Sequence, residues 1–148
     1  MENDAALTVA IRELGKTWCG TPQEFTGPVS EEEIRAAEKE LGLSFPSSYR
    51  AFLRRYGAGT VHYYDLYGLP RGQLWGDVVM MNQLDQRSLP SHYLKFMEDV
   101  GDYAYYLDTS RMNSAKECPV VVFGWEEDGE IVADNFVDFL QKAKDGLL

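Results

Sequence analysis

The residues of this chain best suited to nucleophilic or metal chemistry are two cysteines and two histidines. Cys19 and Cys118 lie far apart without a CxxC pair, and His62 and His92 lie outside any HxxxH or HxxE pattern. A protein zinc site takes three or four closely arranged side-chain ligands, so these isolated residues predict no metal site. We expect two free thiols, and nothing in the sequence places either thiol beside a histidine that would activate it as a nucleophile.

Carboxylates are the abundant ionisable groups: the 148 residues include 24 acidic and 14 basic side chains, for a net charge of −10. Because acidic residues are so numerous, no pair is singled out by its spacing for acid–base catalysis. The sequence also lacks GxSxG, GxxxxGK[ST] and a GxGxxG that follows a strand, which are common hydrolase and nucleotide-binding motifs. We therefore expect a protein that is not an enzyme and that uses no cofactor.

The negative charge is concentrated in the second part of the chain. Residues 1–64 hold 9 acidic and 7 basic side chains, whereas residues 65–148 hold 15 acidic and 7 basic ones. A protein that binds nucleic acid directly needs the opposite sign, whereas an acidic surface suits a basic protein partner. No apolar run is long enough for a signal peptide or a membrane span, so we expect a cytoplasmic protein that binds neither nucleic acid nor membrane.

Two segments are candidates for a partner-binding surface, and the first is acidic. Trp125 is followed by Glu126, Glu127 and Asp128, and the Asp128-Gly129 pair predicts a hairpin turn over residues 126–130. A protruding acidic hairpin could occupy the basic substrate cleft of a nuclease. The alternative is an ordinary solvated turn that contacts no partner.

The second candidate segment is aromatic and follows Gly59. Its candidate partner-binding residues are Tyr63, Tyr64, Asp65, Tyr67, Trp75 and Asp77. Tyrosine and tryptophan are favoured at interface centres because they bury a large area with few rotatable bonds. In a strand, residues 63, 65 and 67 face one side and residues 62, 64 and 66 the other, so one of the two sets should be buried. The alternative is that half of these aromatic side chains belong to the core and the rest are incidental.

Two further polar groups have structural explanations. Asp108 precedes a Thr-Ser pair and is expected to cap a turn with its carboxylate. Arg50, Arg54 and Arg55 are expected to form a solvated face that pairs with glutamates, in preference to a phosphate site.

The elements that must position these residues are organised around a pair of helices within residues 29–59. Ser30 and Glu33 form a capping box, and Gly42 is a natural left-handed stop for the first helix. Pro46 suits the entrance of the second helix, since its missing N–H costs nothing there. The two apolar stripes are too narrow to bury themselves, so both helices must pack on something larger.

The other elements are strands and short helices. We expect a weak helix over residues 4–14, a loop over residues 18–28 and a strand within residues 60–69. A short helix capped by Asp77 should run to Arg87, although the intervening Val-Val-Met-Met has the composition of a strand. Further strands are expected at residues 93–97, 103–107, 120–125 and 131–133, with an acidic turn at 98–102, a polar loop at 108–117 and a last helix capped by Asn135.

Four blocks of the sequence occur in an order that is typical of one protein family. The first is the run E-x-x-L-G-L-x-F-P-x-x-Y-x-x-F-L-x-x-Y-G-x-G from Glu38 to Gly59. The later blocks are residues 105–110, residues 119–121, and residues 133–136 followed by Phe139 and Leu140. In these blocks the chain resembles the SUKH superfamily, which includes yeast cell-wall-synthesis regulators and many bacterial toxin-immunity proteins.

The resemblance implies an α+β fold in a single domain over residues 1–148, with a recognisable part from about 29 to 140. The fold it implies is a mainly antiparallel, twisted sheet of about four to six strands. N-terminal helices and a closing C-terminal helix would flank this sheet.

The function that the resemblance implies is immunity: a cytoplasmic inhibitor that binds and neutralises a cognate toxin domain by occlusion, without catalysis. The acidic half of the chain suits a basic toxin such as a nuclease. Two other functions remain open, a general interaction or regulatory scaffold and a small-molecule-binding protein or enzyme that uses a cleft beside the aromatic strand. The oligomeric state is not fixed by the sequence, and a monomer is favoured.

Overall fold

The computed structural model describes residues 2–16, 24–61, 64–70, 76–85, 87–99, 103–125 and 127–144. Within these ranges the helices are α1 Glu2–Lys16, α2 Glu31–Leu41, α3 Ser47–Tyr56, α4 Val78–Gln83, α5 Phe136–Lys144 and the 3₁₀ turn Thr109–Arg111. The strands are β1 Glu24–Phe25, β2 Gly59–Val61, β3 Tyr64–Leu66, β4 Tyr93–Asp99, β5 Tyr103–Asp108, β6 Val120–Phe123 and β7 Asp128–Ala133. None of the described helices is long and apolar enough to cross a membrane.

The strands form two antiparallel sheets, which confirms the expected α+β class. One sheet has the strand order β1-β2-β3 and the other the order β4-β5-β6-β7. The sheets meet just beyond the end of β3, where the Tyr67 N–H donates to the Phe96 carbonyl at 2.8 Å. All four side chains of β6 are buried, as its continuous apolar run predicts for an inner strand.

Side-chain caps start the helices where the sequence places them. The Ser30 hydroxyl accepts a hydrogen bond from the Glu33 N–H at 3.2 Å, and Gly42 ends α2 with a left-handed φ of 71°. Asp77 caps α4 by accepting from two backbone N–H groups at 2.9 and 3.1 Å. Asn135 caps α5 in the same way at 2.8 Å. These predicted caps are therefore confirmed.

The arginine face of α3 pairs with glutamates of α2. Arg50 donates to Glu38 at 2.6 Å and also to Glu31. Arg54 donates to Glu31 at 3.1 Å. The predicted pairing with glutamates is therefore confirmed for these two arginines, and the ion pairs hold the two helices side by side.

The main core lies between the helices and one face of the four-stranded sheet. The apolar stripe of α1 is buried, with Leu7, Ile11 and Leu14 at most 2% exposed. Phe52 of α3 and Phe136 of α5 are both 0% exposed, with ring centroids 5.7 Å apart. The closing helix thus packs its aromatic face against α3, and burial of such side chains is the main driving force for this arrangement.

The aromatic segment after α3 contains two strands where we expected one. β2 and β3 pair antiparallel, with Val61 opposite Tyr64, and residues 62–63 between them lie outside the described part. The loop expected over residues 18–28 also contains a strand, because β1 pairs with β2. In both places the pairing partner, which local composition does not reveal, decides where a strand forms.

The prediction that Asp128-Gly129 forms the turn between the last two strands is wrong. Asp128 already pairs with Phe123, and Gly129, with φ of 91°, lies inside β7 at a shift in strand register. The left-handed freedom of this glycine therefore serves a β-bulge instead of the turn. The Gly124 N–H donates to the Glu127 carbonyl at 2.9 Å, which places the turn before Asp128.

Two other boundaries also differ from expectation. Helix α4 ends at Gln83, short of Arg87. Strand β4 continues through Glu98 to Asp99, into the expected acidic turn, and residues 100–102 lie outside the described part.

Candidate protein-binding surface

The turn between β6 and β7 presents a tryptophan to solvent. Trp125 is 83% exposed, whereas Phe123 at the end of β6 is 8% exposed. A hydrogen bond from the Gly124 N–H to the Glu127 carbonyl closes the turn at 2.9 Å. Burial of a tryptophan removes roughly 150–250 Å² from water. A ring of this size left exposed to solvent is therefore a candidate contact surface.

Two glycines fix the base of this hairpin against aromatic rings. A Cβ atom at Gly124 would overlap the Tyr103 ring, and one at Gly129 would lie 3.0 Å from the Phe123 Cζ. The rings of Tyr103 and Phe123 therefore lie directly on the hairpin backbone, where only glycine leaves room for them. This packing holds the hairpin in a defined position and leaves Trp125 on its solvent side.

The exposed tryptophan lies in an acidic surface. Asp128 and Glu130 are exposed and Glu127 is half-buried, while Glu126 lies outside the described part. Hydrogen bonds from the backbone N–H groups of Glu130 and Asp128 lower the pKa of the Glu130 carboxyl, so this group stays ionised. The sequence has no basic residue from 124 to 134, and the hairpin therefore contributes negative charge and no positive charge of its own.

Tyr64 and Tyr67 of the aromatic segment lie in the core. Tyr64 and Leu66 are 8% and 1% exposed, so the residues at even positions form the buried face of β3. Tyr67 is 6% exposed as well, because β3 ends before it and the chain there bonds to β4 instead of continuing the alternation. These two tyrosine rings, both named as candidate binding residues, pack inside the protein in this structure.

The acids of the aromatic segment have partners within the chain. Asp65 is half-buried and accepts a hydrogen bond from the Thr60 hydroxyl at 2.7 Å. Asp77 is occupied as the cap of α4. Tyr63 and Trp75 lie outside the described part. That any of the candidate residues binds a partner stays a prediction. The solvent exposure of Trp125 and Asp128 makes the hairpin a better candidate than the aromatic segment, where Tyr64 and Tyr67 are buried.

An ion-pair network around a buried lysine lies on the sheet face opposite the main core. Lys95 is 4% exposed, and its Nζ lies 2.7 Å from Glu98 and 3.4 Å from Asp85. The Tyr106 hydroxyl donates to Asp85 at 2.5 Å and the Tyr67 hydroxyl to Glu98 at 3.3 Å. Burial, followed by Asp85, raises the pKa of Tyr106, so the phenol stays protonated as a donor. These groups satisfy one another, as in a structural network.

This network was not predicted from the sequence, although one signal in the sequence indicates it. Lys95 stands between Leu94 and Phe96, in a run from 93 to 97 whose other side chains are aromatic or apolar. A charged side chain is rarely buried without a partner, so a lysine at that place predicts carboxylates on neighbouring elements.

Two clefts flank the link between α2 and α3. A cleft of about 340 Å³ lies against the segment after α4, with Asp85 and Tyr106 in its wall. A wider cleft of about 790 Å³ includes Arg50 and His92. These volumes suit a small molecule, but the ionic groups named here already have partners: the His92 Nε2, for example, lies 3.7 Å from Asp108.

The remaining candidates for chemistry are structural. Asp108 accepts from the N–H and the hydroxyl of Ser110 at 3.2 and 2.6 Å, so the predicted turn cap is confirmed. Cys118 is a buried free thiol, as predicted, and burial together with Glu117 and Asp108 raises its pKa to about 12. Cys19 lies outside the described part. Among the described residues, no three histidine, cysteine or carboxylate side chains are grouped to hold a metal ion.

Two comparisons place this chain among known proteins. A sequence profile of the SMI1 / KNR4 family (SUKH-1) matches residues 28–142, from the entrance of α2 into α5. The fold is similar to a crystal structure of an uncharacterized protein from Salmonella enterica subsp. enterica serovar typhimurium str. 14028s. That pair has a TM-score of 0.53 and 14% sequence identity, with 95% of this chain and 78% of the other covered. At this identity the likeness concerns the fold alone.

Proposed function

Because this chain belongs to the SMI1 / KNR4 family (SUKH-1), we propose that it is an immunity protein. In this role it binds a cognate toxin domain and neutralises it by occlusion, without a catalytic step of its own. It acts in the cytoplasm as a single domain, where it meets the toxin before the toxin reaches its target.

The observation that carries the choice of surface is the exposure of Trp125. Tryptophan is among the residues that contribute most to binding energy when a partner buries them. Trp125 is 83% exposed on a hairpin whose base is packed, so it is available to a partner without rearrangement of the core. A partner that offers a pocket for this ring therefore gains buried area at little cost in side-chain order.

Charge supports a basic partner. The hairpin carboxylates lie in the half of the chain that holds 15 acidic and 7 basic side chains. Complementary charge speeds diffusional encounter and disfavours acidic partners. A nuclease is a suitable toxin class because its substrate cleft is basic, and the acidic hairpin would then block the cleft that the nucleic acid needs.

Co-expression tests this proposal. Cells that express a toxin domain encoded beside this gene should grow when this protein is present and should stop growing when it is absent. Trp125→Ala should abolish the rescue. Leu84→Ala is the matched control, since Leu84 is a large apolar side chain that is 66% exposed at the end of α4, away from the hairpin in sequence, and it should leave the rescue intact.

The alternative is an interaction or regulatory scaffold, and the same experiment separates the two functions. A scaffold would protect no cell from any toxin encoded beside it. Failure of rescue by the wild-type protein, with both proteins expressed and soluble, would contradict the immunity role.

A further inference from the structure

Among the described residues, the outer edge of β7 is open in the four-stranded sheet. This sheet has the order β4-β5-β6-β7, so β7 pairs with β6 on one side and with no described strand on the other. The opposite edge is occupied, because the Tyr67 N–H beyond β3 donates to the Phe96 carbonyl of β4. An open edge offers a row of backbone donors and acceptors that another strand can pair with.

A side chain of α5 covers one end of the open edge of β7, and no other described element covers the other end. The Lys142 ammonium of α5 donates to the Val132 carbonyl at 3.2 Å, which satisfies that group from within the chain. On this edge the residues before it, from Asp128 to Ile131, are covered by no other described element. The Asp128 N–H donates within the strand to the exposed Glu130 carboxylate at 2.8 Å, a contact that an added strand would displace, and Ile131 is 52% exposed. The accessible length is therefore about four residues and begins beside Trp125.

Charge decides which strand fits this edge. Asp128 and Glu130 are exposed on β7. A second copy of the chain would place carboxylates against carboxylates, which destabilises strand pairing. A strand that carries lysine or arginine would instead place opposite charges across the same pairs. Asp128 and Glu130 thus disfavour self-association through this edge and favour a basic strand as its partner.

We propose that the outer edge of β7, from Asp128 to Ile131, receives a basic β-strand of the partner protein as a fifth strand of the sheet. Main-chain hydrogen bonds supply affinity in this mode and side chains supply specificity. Trp125 covers the end of the added strand. The partner's identity as a toxin rests on the proposed function, whereas strand addition does not.

A synthetic strand tests the inference without a toxin. The probe is an acetylated and amidated seven-residue peptide of alternating lysine and valine. Its control is the same peptide with every central backbone nitrogen methylated, which keeps the charge but cannot form a ladder on either edge. The unmodified peptide should slow amide exchange within residues 128–131, and the methylated one should bind at least tenfold more weakly. Equal binding of both, or protection only at other strands, would overturn the proposal.

A pair of variants tests the role of charge. Asp128→Asn combined with Glu130→Gln should weaken the unmodified peptide at least tenfold and should raise the dimer fraction in analytical ultracentrifugation. The side-chain amide oxygen that Glu130→Gln introduces can still accept from the backbone N–H of residue 128, so the local hydrogen bond is retained. Glu32→Gln combined with Glu40→Gln removes the same charge from exposed positions of α2 and should change neither result. Equal effects of the two double variants would overturn the selective role of the edge.

The outcomes distinguish this inference from the proposed function. Peptide binding at β7 without rescue from any toxin would uphold strand addition and contradict immunity. Rescue from a toxin with no peptide bound at β7 would uphold immunity and overturn strand addition.

Discussion

Replacing Trp125 by alanine should separate binding from folding. The ring is 83% exposed, so only about one-sixth of its roughly 150–250 Å² is buried in the free protein. At ~25 cal/mol per Å², the lost burial costs about 1 kcal/mol of unfolding free energy at most. If Trp125 anchors the interface, its loss should instead cost at least ~2 kcal/mol of binding, which is about thirtyfold in Kd.

Phe52→Ala is the matched comparison for stability. Phe52 is 0% exposed, and truncation of a buried phenylalanine costs about 3–5 kcal/mol. Urea unfolding should be followed by far-UV circular dichroism, because the loss of a tryptophan alters the fluorescence signal itself. Isothermal titration calorimetry against the purified toxin domain then gives the change in Kd.

The exposure of Trp125 and its role in binding can be refuted separately. If Trp125→Ala lowered the unfolding free energy as much as Phe52→Ala, the ring would be part of the core and not a free surface. If it left Kd unchanged while the toxin still bound, the interface would lie elsewhere on the molecule.

Three further perturbations test the account of the interior. Tyr49→Phe removes a hydroxyl that donates to a buried backbone carbonyl at 2.6 Å and should cost about 1–3 kcal/mol in urea unfolding. In a Cys19→Ser background, Cys118 should react with Ellman's reagent only on unfolding, because burial raises its pKa to about 12; rapid reaction of the native protein would contradict its burial. Burial raises the pKa of Glu117 above its ordinary 4.5, so its ionisation weakens the fold as pH rises through the folded pKa. Relative to wild type, Glu117→Gln should therefore gain stability as the pH rises above 4.5 in urea titrations, and a pH-independent difference would contradict the buried charge.

The helix pair was predictable because its signals are local. A serine with a glutamate three residues on, a glycine after the last apolar position and a proline before the next helix act within a few residues of the chain. Ser30, Gly42 and Pro46 therefore marked α2 and α3 correctly. Asp77 and Asn135 marked the starts of α4 and α5 for the same reason.

The strand boundaries were less predictable because pairing is not local. Thr60 to Leu66 has one continuous strand-like composition, and only the pairing of β2 with both β1 and β3 divides it. Asp128-Gly129 has the sequence of a turn, but the Phe123 ring on the glycine and the shifted register place it in a bulge. Neither contact can be read from the neighbouring residues.

The composition of the candidate surface was predictable from the sequence, but the burial or exposure of its individual side chains was not. Strand alternation predicted that one of two sets of residues would be buried, and the described members of one set, Tyr64 and Leu66, are buried. It did not predict that Tyr67 would also be buried, because the end of β3 breaks the alternation. Acidity around Trp125 was visible in the sequence, whereas the exposure of its ring depends on how Gly124 packs against Tyr103.

The most direct test of the central claim is the residual activity of purified toxin domain during titration with this protein. Tight occlusion predicts that activity falls linearly to zero at one equivalent, and that Trp125→Ala combined with Asp128→Asn fails to inhibit at the same concentrations while remaining folded. Full toxin activity at a stoichiometric excess of the wild-type protein would contradict immunity. Equal inhibition by the double variant would contradict the role of the β6–β7 hairpin.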